Sequence, residues 1–276
     1  MRCRPCGHAG PSCSRAGRSS TRGARRRATK PTTGGRAEGE DWRKAGLDRL
    51  KTTVDSVTVE PGQGEAKVVV RSKVAAPDVS TASFEQAMTY RVDAAGTVRL
   101  GHQVHPVGDV RTLPYLPRIG VSLAVPSTFD RFAWYGRGPQ DSYVDRKDGT
   151  PIGVHSSTVD EQYVDYYRPQ DHGNHTDTRW ALLTDGRSGG LLVSGAPEVS
   201  ATPYDDLDRA AYPFQRVRND GWLTLHADHA VTGMGDTPNP VRERYQVRPD
   251  RDYDYSLTFR PLSADEVHSG LPRGAR

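Results

Sequence analysis

Residues 54–74 of this 276-residue chain read VDSVTVEPGQGEAKVVVRSKV. Apolar and polar side chains alternate over residues 54–60 and again over 66–74, and the turn from Gly62 to Gly64 separates the two runs. Alternation on both sides of a glycine-rich break is typical of two antiparallel strands that each bury one face. The stretch therefore predicts a β-hairpin, and it indicates a chain built mainly from strands.

The same pattern predicts seven further strands along the chain. They lie at residues 84–92, 97–100, 116–125, 180–184, 190–194, 222–227 and 253–259. The only helical candidate is short, from about Asp205 to Ala211. Short strands in succession, with Gly, Asp or Pro between several of them, predict antiparallel sheets that stack face to face as a sandwich. The predicted fold class is all-β.

The first 40 residues differ in composition from the rest of the chain. They carry ten Lys or Arg and two acidic residues, whereas residues 41–276 carry 28 basic and 32 acidic residues, a net charge of −4. A segment with almost no large apolar side chain cannot offset its ordering entropy, so residues 1–40 are predicted to be a disordered, Arg-rich leader. The folded domain is predicted over residues 41–263, with a tail at 264–276. A mildly acidic domain gives no reason to expect nucleic-acid binding.

All three cysteines lie in the leader, at Cys3, Cys6 and Cys13, so no disulfide framework is expected in the domain. Together with His8 they superficially resemble a zinc knuckle, but the tight spacing and the lack of apolar neighbours favour an incidental cluster. No run of about 18 apolar residues is present, so no membrane span is expected. The arginines at 25–27 are not followed by an apolar run either, and the expected location is the cytoplasm.

Three polar blocks stand out between Phe132 and Pro240. The first block is WYGRGPQDSYVDR at 134–146, the second is YYRPQDHGNHTDTRW at 166–180, and the third is GMGDTPNP at 233–240. In that order and at that spacing, the blocks resemble the C-terminal domain of glycoside hydrolase family 2 β-galactosidases, the domain often called the small chain. The stretch DWRKAG at 41–46 resembles the start of that domain, and the resemblance covers about residues 42–262.

The resemblance implies both a fold and a function. The implied fold is the large two-sheet antiparallel supersandwich that the family shares with galactose mutarotases. The implied function is to bind carbohydrate and to complete the active-site rim of an enzyme that hydrolyses terminal β-D-galactose residues. Retaining glycosidases need two carboxyl groups about 5–5.5 Å apart, and the family places both on a (β/α)8 barrel, for which this chain has no alternating βα pattern. No catalytic residue, metal or cofactor is therefore expected here, and the expected partners are a catalytic portion and a β-galactoside.

The resemblance also assigns a sugar-binding set to the third block. In the family this loop carries a Gly-Gly-x-Asp-Ser-Trp run, and its tryptophan stacks on the sugar. By position, Asp236 and Thr237 match the Asp-Ser pair, while Pro238 stands where the family has tryptophan. With Asn239 these residues form the predicted substrate-binding set. The polar loop at residues 75–83 lies where the family has a second loop near the active site.

The second block has three possible interpretations. His172 and His175 lie beside Asp171 and Asp177, which suggests a metal site. The glycine at 173 and the loop character of the block favour two structural roles for its side chains: hydrogen bonds to backbone groups, and packing between the sheets. A sugar-facing role is more plausible than a metal site, because planar polar side chains offer the donors and acceptors that hydroxyl groups require.

Two functions from other classes remain open. A free-standing aldose mutarotase or epimerase would need a histidine paired with a carboxyl group in a cleft, and His155, His172 and His175 are the candidates. The other alternative is a non-catalytic, carbohydrate-binding remnant of a truncated gene.

Overall fold

The computed structural model describes residues 18–19, 38–166, 169–205, 210, 212–235 and 239–269. The strands are β1 (Arg18–Ser19), β2 (Lys51–Pro61), β3 (Glu65–Ala75), β4 (Ala82–Asp93), β5 (Val98–Gly108), β6 (Arg118–Pro126), β7 (Arg131–Arg137), β8 (Ile152–Thr158), β9 (Trp180–Thr184), β10 (Gly189–Ser194), β11 (Glu198–Thr202), β12 (Tyr204–Asp205), β13 (Val217–Arg218), β14 (Trp222–Val231) and β15 (Tyr253–Ser263). The helices are α1 (Glu38–Lys44) and α2 (Ala264–His268), with 3-10 turns at Asp109–Thr112, Asp160–Gln162, Pro213–Gln215 and Glu243–Tyr245.

The strands form two main sheets. The larger sheet has nine strands in the order β2-β3-β4-β5-β15-β10-β9-β7-β8, and the smaller has four in the order β1-β6-β14-β11. Strands β12 and β13 form a separate pair. Every strand pair among the described residues is antiparallel. The predicted all-β fold is confirmed, and the hairpin at 54–74 corresponds to β2 and β3.

The core lies between the inner faces of the two sheets. Trp134 and Leu257 come from the larger sheet, Ile119 and Leu225 come from the smaller one, and all four are at most 1% exposed. They belong to a single cluster of buried apolar side chains. Burying one such side chain contributes about 1.5–3 kcal/mol, so this contact between sheets is the main stabilising feature of the sandwich.

The prediction of a single helix is wrong. Helix α1 forms where the chain enters the domain, and it is anchored by Trp42, whose indole Nε1 donates to the carbonyl oxygen of Tyr115 at 2.8 Å. Helix α2 lies in the predicted tail, where Ser263 and Glu266 make a capping box. Asp205 ends strand β12, and residues 206–209 and 211 of the predicted helix lie outside the described residues. Most of the predicted leader, residues 1–40, lies outside them too.

One expectation about the first hairpin is also wrong. The alternating sequence predicted that each strand buries one face, and β3 does so in part. Strand β2, however, is exposed along its whole length on both faces. It is an edge strand, and burial at an edge depends on whether the opposite layer extends that far.

Candidate functional site

The loop that carries the predicted sugar-binding residues begins at a fixed point at the end of β14. Thr232 is fully buried, and its backbone N–H donates to the carbonyl oxygen of Pro117 at 3.0 Å. Its Oγ1 donates to the carbonyl oxygen of Leu116 at 2.5 Å and accepts from the backbone N–H of Val247 at 2.8 Å. One threonine therefore ties the root of the loop to two other chain segments.

The first and third sequence blocks meet at this loop. The carboxylate of Asp145 accepts from the backbone N–H of Met234 at 2.8 Å and from that of Gly235 at 2.7 Å. Arg146 donates from Nη2 to the carbonyl oxygen of Gly235 at 2.6 Å. Gly235 has a φ of +74°, a conformation that glycine adopts at low cost. The last two residues of the first block thus fix the path of the third block as far as Gly235.

The predicted sugar-binding residues follow directly after this contact. Asp236, Thr237 and Pro238 lie outside the described residues, and Asn239 is exposed. The two ends of the segment lie close together, because a Cβ on Gly235 would lie 3.1 Å from Val241 Cγ2 and 3.6 Å from the carbonyl oxygen of Asn239. The assignment of Asp236, Thr237, Pro238 and Asn239 to sugar binding stays a prediction.

A buried ionic cluster lies between the second block and the smaller sheet. The guanidinium of Arg118 in β6 lies 2.5 Å from Oδ2 of Asp171 and 3.0 Å from Oδ2 of Asp228 in β14. All three side chains are at most 4% exposed. Burial lowers the pKa of Arg118, but the charges of Asp171 and Asp228 more than offset this and raise the pKa overall. The arginine therefore stays charged and holds the second block against the sheet.

A third buried carboxyl group, that of Glu198 in β11, also contacts this block, and Glu198 pairs directly with Asp228 of β14. Its Oε2 accepts from Nδ2 of Asn174 at 2.7 Å, and its Oε1 accepts from the backbone N–H of Val231 at 3.0 Å. Burial raises the pKa of Glu198 to about 7, against the effect of these hydrogen bonds. Sequence reasoning missed Glu198, because a lone glutamate in a strand gives no signal of its partners.

The histidines of the second block pack inside the protein. His175 stacks on Trp134 with ring centroids 3.8 Å apart, and its Nδ1 lies 3.1 Å from the carbonyl oxygen of Arg137. Burial lowers the pKa of His175 to about 3, so its ring is neutral. His172 is 1% exposed and meets the ring of Tyr163 edge-on. The packing interpretation is confirmed for these residues, and the sugar-facing interpretation is wrong for them.

Metal binding finds no support in the described part of the chain. Within it, no group of three or more His, Cys, Asp or Glu is arranged to hold an ion. Asp177, which suggested a site next to the histidines, instead accepts from Arg137 Nε at 2.5 Å and from Lys147 Nζ at 2.9 Å. The cluster of Cys3, Cys6, His8 and Cys13 lies outside the described residues.

The loop at residues 75–83 is tied to the segment that follows α1. Asp78 receives two hydrogen bonds of 2.8 Å from the guanidinium of Arg49. A Cβ on Gly46 would lie 2.2 Å from the Cβ of Ala76, so the two segments touch at a glycine. The loop has a defined path, and its approach to an active site stays a prediction.

A wide groove of about 710 Å³ lies on the charged outer face of the larger sheet. Its walls come from β2, β3, β4, β5 and the start of β15. His105 Nδ1 lies 2.5 Å from Oδ1 of Asp252, and Glu85 pairs directly with His105 across β4 and β5. Sequence reasoning missed this groove, because its residues come from distant parts of the chain and only the sheet brings them together.

Nothing in the described ranges resembles a helical membrane anchor: none of their helices is long and apolar enough to cross a bilayer.

Comparison with known protein sequences points to one family. The family described as "Beta galactosidase small chain" matches residues 18–259. The β-galactosidase of Priestia megaterium is 32% identical over 229 residues, which cover 81% of this chain and 21% of that protein. The β-galactosidase of Vibrio cholerae is 31% identical over 79% of this chain and 21% of its own length. The chain therefore spans about a fifth of the length of these relatives.

Solved structures with a similar arrangement include two from the aldose epimerase group. Galactose 1-epimerase from Lactobacillus acidophilus aligns with a TM-score of 0.44 and 11% identity, over 76% of this chain and 66% of that chain. The GalM/aldose epimerase homologue from C. elegans aligns with a TM-score of 0.43 and 10% identity, over 75% of this chain and 69% of that chain.

Proposed function

Because this chain belongs to the β-galactosidase small-chain family, we propose that it completes the sugar-binding rim of a β-galactosidase. The catalytic carboxyl groups would lie on another part of that enzyme. The substrates would be β-galactosides with a terminal, non-reducing galactose. The reaction requires no cofactor on this chain, because paired carboxyl groups hydrolyse glycosides with water alone.

The anchored start of the third block, at Met234 and Gly235, is the observation that carries this proposal. Asp145 holds the backbone of Met234 and Gly235 immediately before Asp236, Thr237 and Pro238. A loop held by a rigid scaffold is a common place for binding residues, because its position is fixed while its tip remains accessible. The buried cluster around Arg118 supplies that scaffold by joining the second block to strands β6 and β14.

The residue types at positions 236–239 suit a galactoside. The carboxylate of Asp236 and the amide of Asn239 provide acceptors and donors for sugar hydroxyl groups. Pro238 offers an apolar C–H surface in place of an aromatic face. We expect this loop to contribute to substrate binding more than to the chemical step, so that Asp236→Ala raises KM for the galactoside more than it lowers kcat.

A reconstitution assay tests the proposal. Hydrolysis of a chromogenic β-galactoside is measured for this chain alone, for the Priestia megaterium β-galactosidase expressed without the segment that this chain matches, and for the mixture. The expected result is no appreciable hydrolysis by this chain and a rate for the mixture well above the sum of its parts. Robust hydrolysis by this chain alone would overturn the proposal, as would a mixture that gains nothing.

A second candidate function, aldose mutarotation, is favoured by the groove on the outer face. Ring interconversion needs a group that protonates the ring oxygen and a base that takes the proton of the anomeric hydroxyl group. The pair of His105 and Asp252, with Glu85 beside it, offers such groups at an accessible position. Of the histidines that the sequence suggested for this function, His172 and His175 are buried.

Proton NMR of freshly dissolved α-galactose separates the two functions. A mutarotase would accelerate the appearance of the β anomer above the rate in buffer, and His105→Gln would remove that acceleration. An unchanged rate with the parent chain would exclude mutarotation. A non-catalytic remnant would be indicated if the chain also fails to raise the rate in the reconstitution assay yet still binds galactose.

A further inference from the structure

The inner face of strands β2, β3 and β4 carries no charged side chain. Val54, Val57 and Val59 of β2, called the valine row below, pair with Ser72, Val70 and Val68 of β3. Directly paired residues of antiparallel strands lie on the same face of a sheet. The other residues of this face are Thr52, Pro61, Ala66, Val74, Phe84, Gln86, Met88, Tyr90 and Val92. The outer face of the same strands carries the charges, among them Lys67, Arg71 and Lys73.

A β-bulge keeps the valine row on one face. The pairing of β2 with β3 shifts between Val54 and Ser56, so Asp55 is an extra residue in β2. Without the bulge, the three-residue step from Val54 to Val57 would place the two valines on opposite faces, because side chains alternate with a period of two. The bulge restores the register and aligns all three apolar side chains.

The valine row is nevertheless exposed. Along one line of paired residues, Met88 in β4 is 4% exposed, Val70 in β3 is partly buried against the core, and Val57 in β2 is 58% exposed. Val54 and Val59 are 54% and 62% exposed. The apolar layer that covers β4 therefore ends before it reaches β2. A continuous apolar face of this kind, rimmed by polar residues, is typical of an interaction surface.

We propose that the valine row is the surface on which the catalytic portion of the β-galactosidase docks, with apolar side chains that continue the inner layer of the sandwich. This inference rests on the proposed function. The relatives provide the reason for this occupant: the chain matches only 21% of the Priestia megaterium and Vibrio cholerae enzymes, so four fifths of those polypeptides are available to cover the row.

The terminal segments of this chain do not have the side chains to cover the valine row. Residues 1–37 contain no Val, Leu, Ile, Phe, Tyr or Trp, and residues 270–276 contain one leucine. Packing against an apolar row needs apolar partners, because the favourable free energy scales with the apolar area removed from water. A second copy of the chain is the competing occupant, and the experiment distinguishes it.

Two neighbouring substitutions on β2 test the docking surface. Val57→Lys places a charge in the valine row, and Thr58→Lys places the same charge one residue later on the outer face. All of β2 is exposed in this chain, so both variants are expected to fold, as circular dichroism would verify. Affinity is measured by titration with the Priestia megaterium β-galactosidase expressed without the matching segment. We expect Kd to rise at least tenfold for Val57→Lys and less than twofold for Thr58→Lys.

The possible outcomes test the docking surface and the proposed function separately. If the parent chain and both variants bind equally well, the valine row is not the docking surface, and the proposed function stands. If the parent chain does not bind, the proposed function fails and the surface fails with it. Self-association that Val57→Lys abolishes in sedimentation of the chain alone would identify a second copy as the occupant and overturn the proposal. Amide hydrogen exchange gives an independent reading in the parent chain: slower exchange over residues 51–61 in the complex is expected, and unchanged exchange there would contradict the surface.

Discussion

A Cβ atom on Gly233 would lie 2.5 Å from the carboxyl carbon of Asp145. Only a glycine permits this approach without displacing the carboxylate. The approach lets Asp145 accept the next two backbone N–H groups, those of Met234 and Gly235. Gly233 and Asp145 therefore act as a matched pair, and together they set the path of the chain as far as Gly235, directly before the predicted sugar-binding residues.

The first prediction concerns Asp145. In Asp145→Asn one carboxylate oxygen becomes an amide nitrogen, so one of the two backbone N–H groups loses its acceptor. A hydrogen bond to a charged group contributes about 1.5–3 kcal/mol, and each 1.4 kcal/mol is a factor of about ten. Amide exchange at residues 234–235 should therefore be about 10–100 times faster.

Hydrogen exchange followed by NMR or mass spectrometry checks this prediction. Asp148→Asn is the matched control, since Asp148 is exposed on the same connection three residues later. Equal exchange in the two variants would show that the Asp145 contact does not hold the loop.

The second prediction concerns the buried arginine. Arg118→Met leaves the carboxylates of Asp171 and Asp228 without the cation between them, and breaking a buried ion pair in this way costs about 3–5 kcal/mol. Arg49→Met is the control: its pair with Asp78 is exposed, and such pairs contribute about 0–1 kcal/mol. Urea unfolding should show the difference. Similar losses in both variants would contradict a structural role for the buried cluster.

The third prediction concerns the dependence of stability on pH. Burial lowers the pKa of His102 from 6.5 to about 4 and that of His175 to about 3. The unfolded chain therefore binds these protons first, and stability is lost as the pH falls from 6.5 toward 4, by about 1.4 kcal/mol per pH unit for each histidine. Glu198, whose pKa is raised from 4.5 to about 7, has the opposite effect and offsets one of them in this window.

Urea unfolding at pH 6.5, 5.5 and 4.5 measures this dependence. We expect the three groups together to give a loss of about 1.4 kcal/mol per pH unit on acidification. His102→Gln removes one histidine and should reduce the slope by about the same amount. Parallel pH profiles for the parent and the variant would contradict a neutral, buried His102.

The strands were largely predictable because their signal is local. The predicted strand at 180–184 coincides with β9, and the predicted hairpin at 54–74 falls within β2 and β3. Strand β8 was missed because only Ile152 and Val154 alternate before a polar His-Ser-Ser-Thr run. It forms through pairing with β7, the strand that precedes it in the chain, and its own residues carry little signal of that pairing.

The contacts around the candidate site were not predictable from spacing. Arg118 is 53 residues from Asp171 and 110 from Asp228, and only the sandwich brings the three together. The polar density of the second block was evident in the sequence, but whether those side chains face solvent or the interior depends on buried partners such as Glu198. The role of Asp145 was not predicted either, because its partners are backbone groups, which carry no sequence signal.

Covalent trapping tests most directly whether the catalytic nucleophile lies on the other polypeptide and not on this chain. A 2-deoxy-2-fluoro-galactoside with a good leaving group should accumulate the glycosyl-enzyme intermediate of a retaining glycosidase on its nucleophile. The mixture of this chain with the truncated Priestia megaterium enzyme is treated with the reagent, and both polypeptides are weighed by intact mass spectrometry. We predict a glycosyl adduct on the catalytic polypeptide and an unchanged mass for this chain. An adduct on a carboxyl group of this chain would contradict the account.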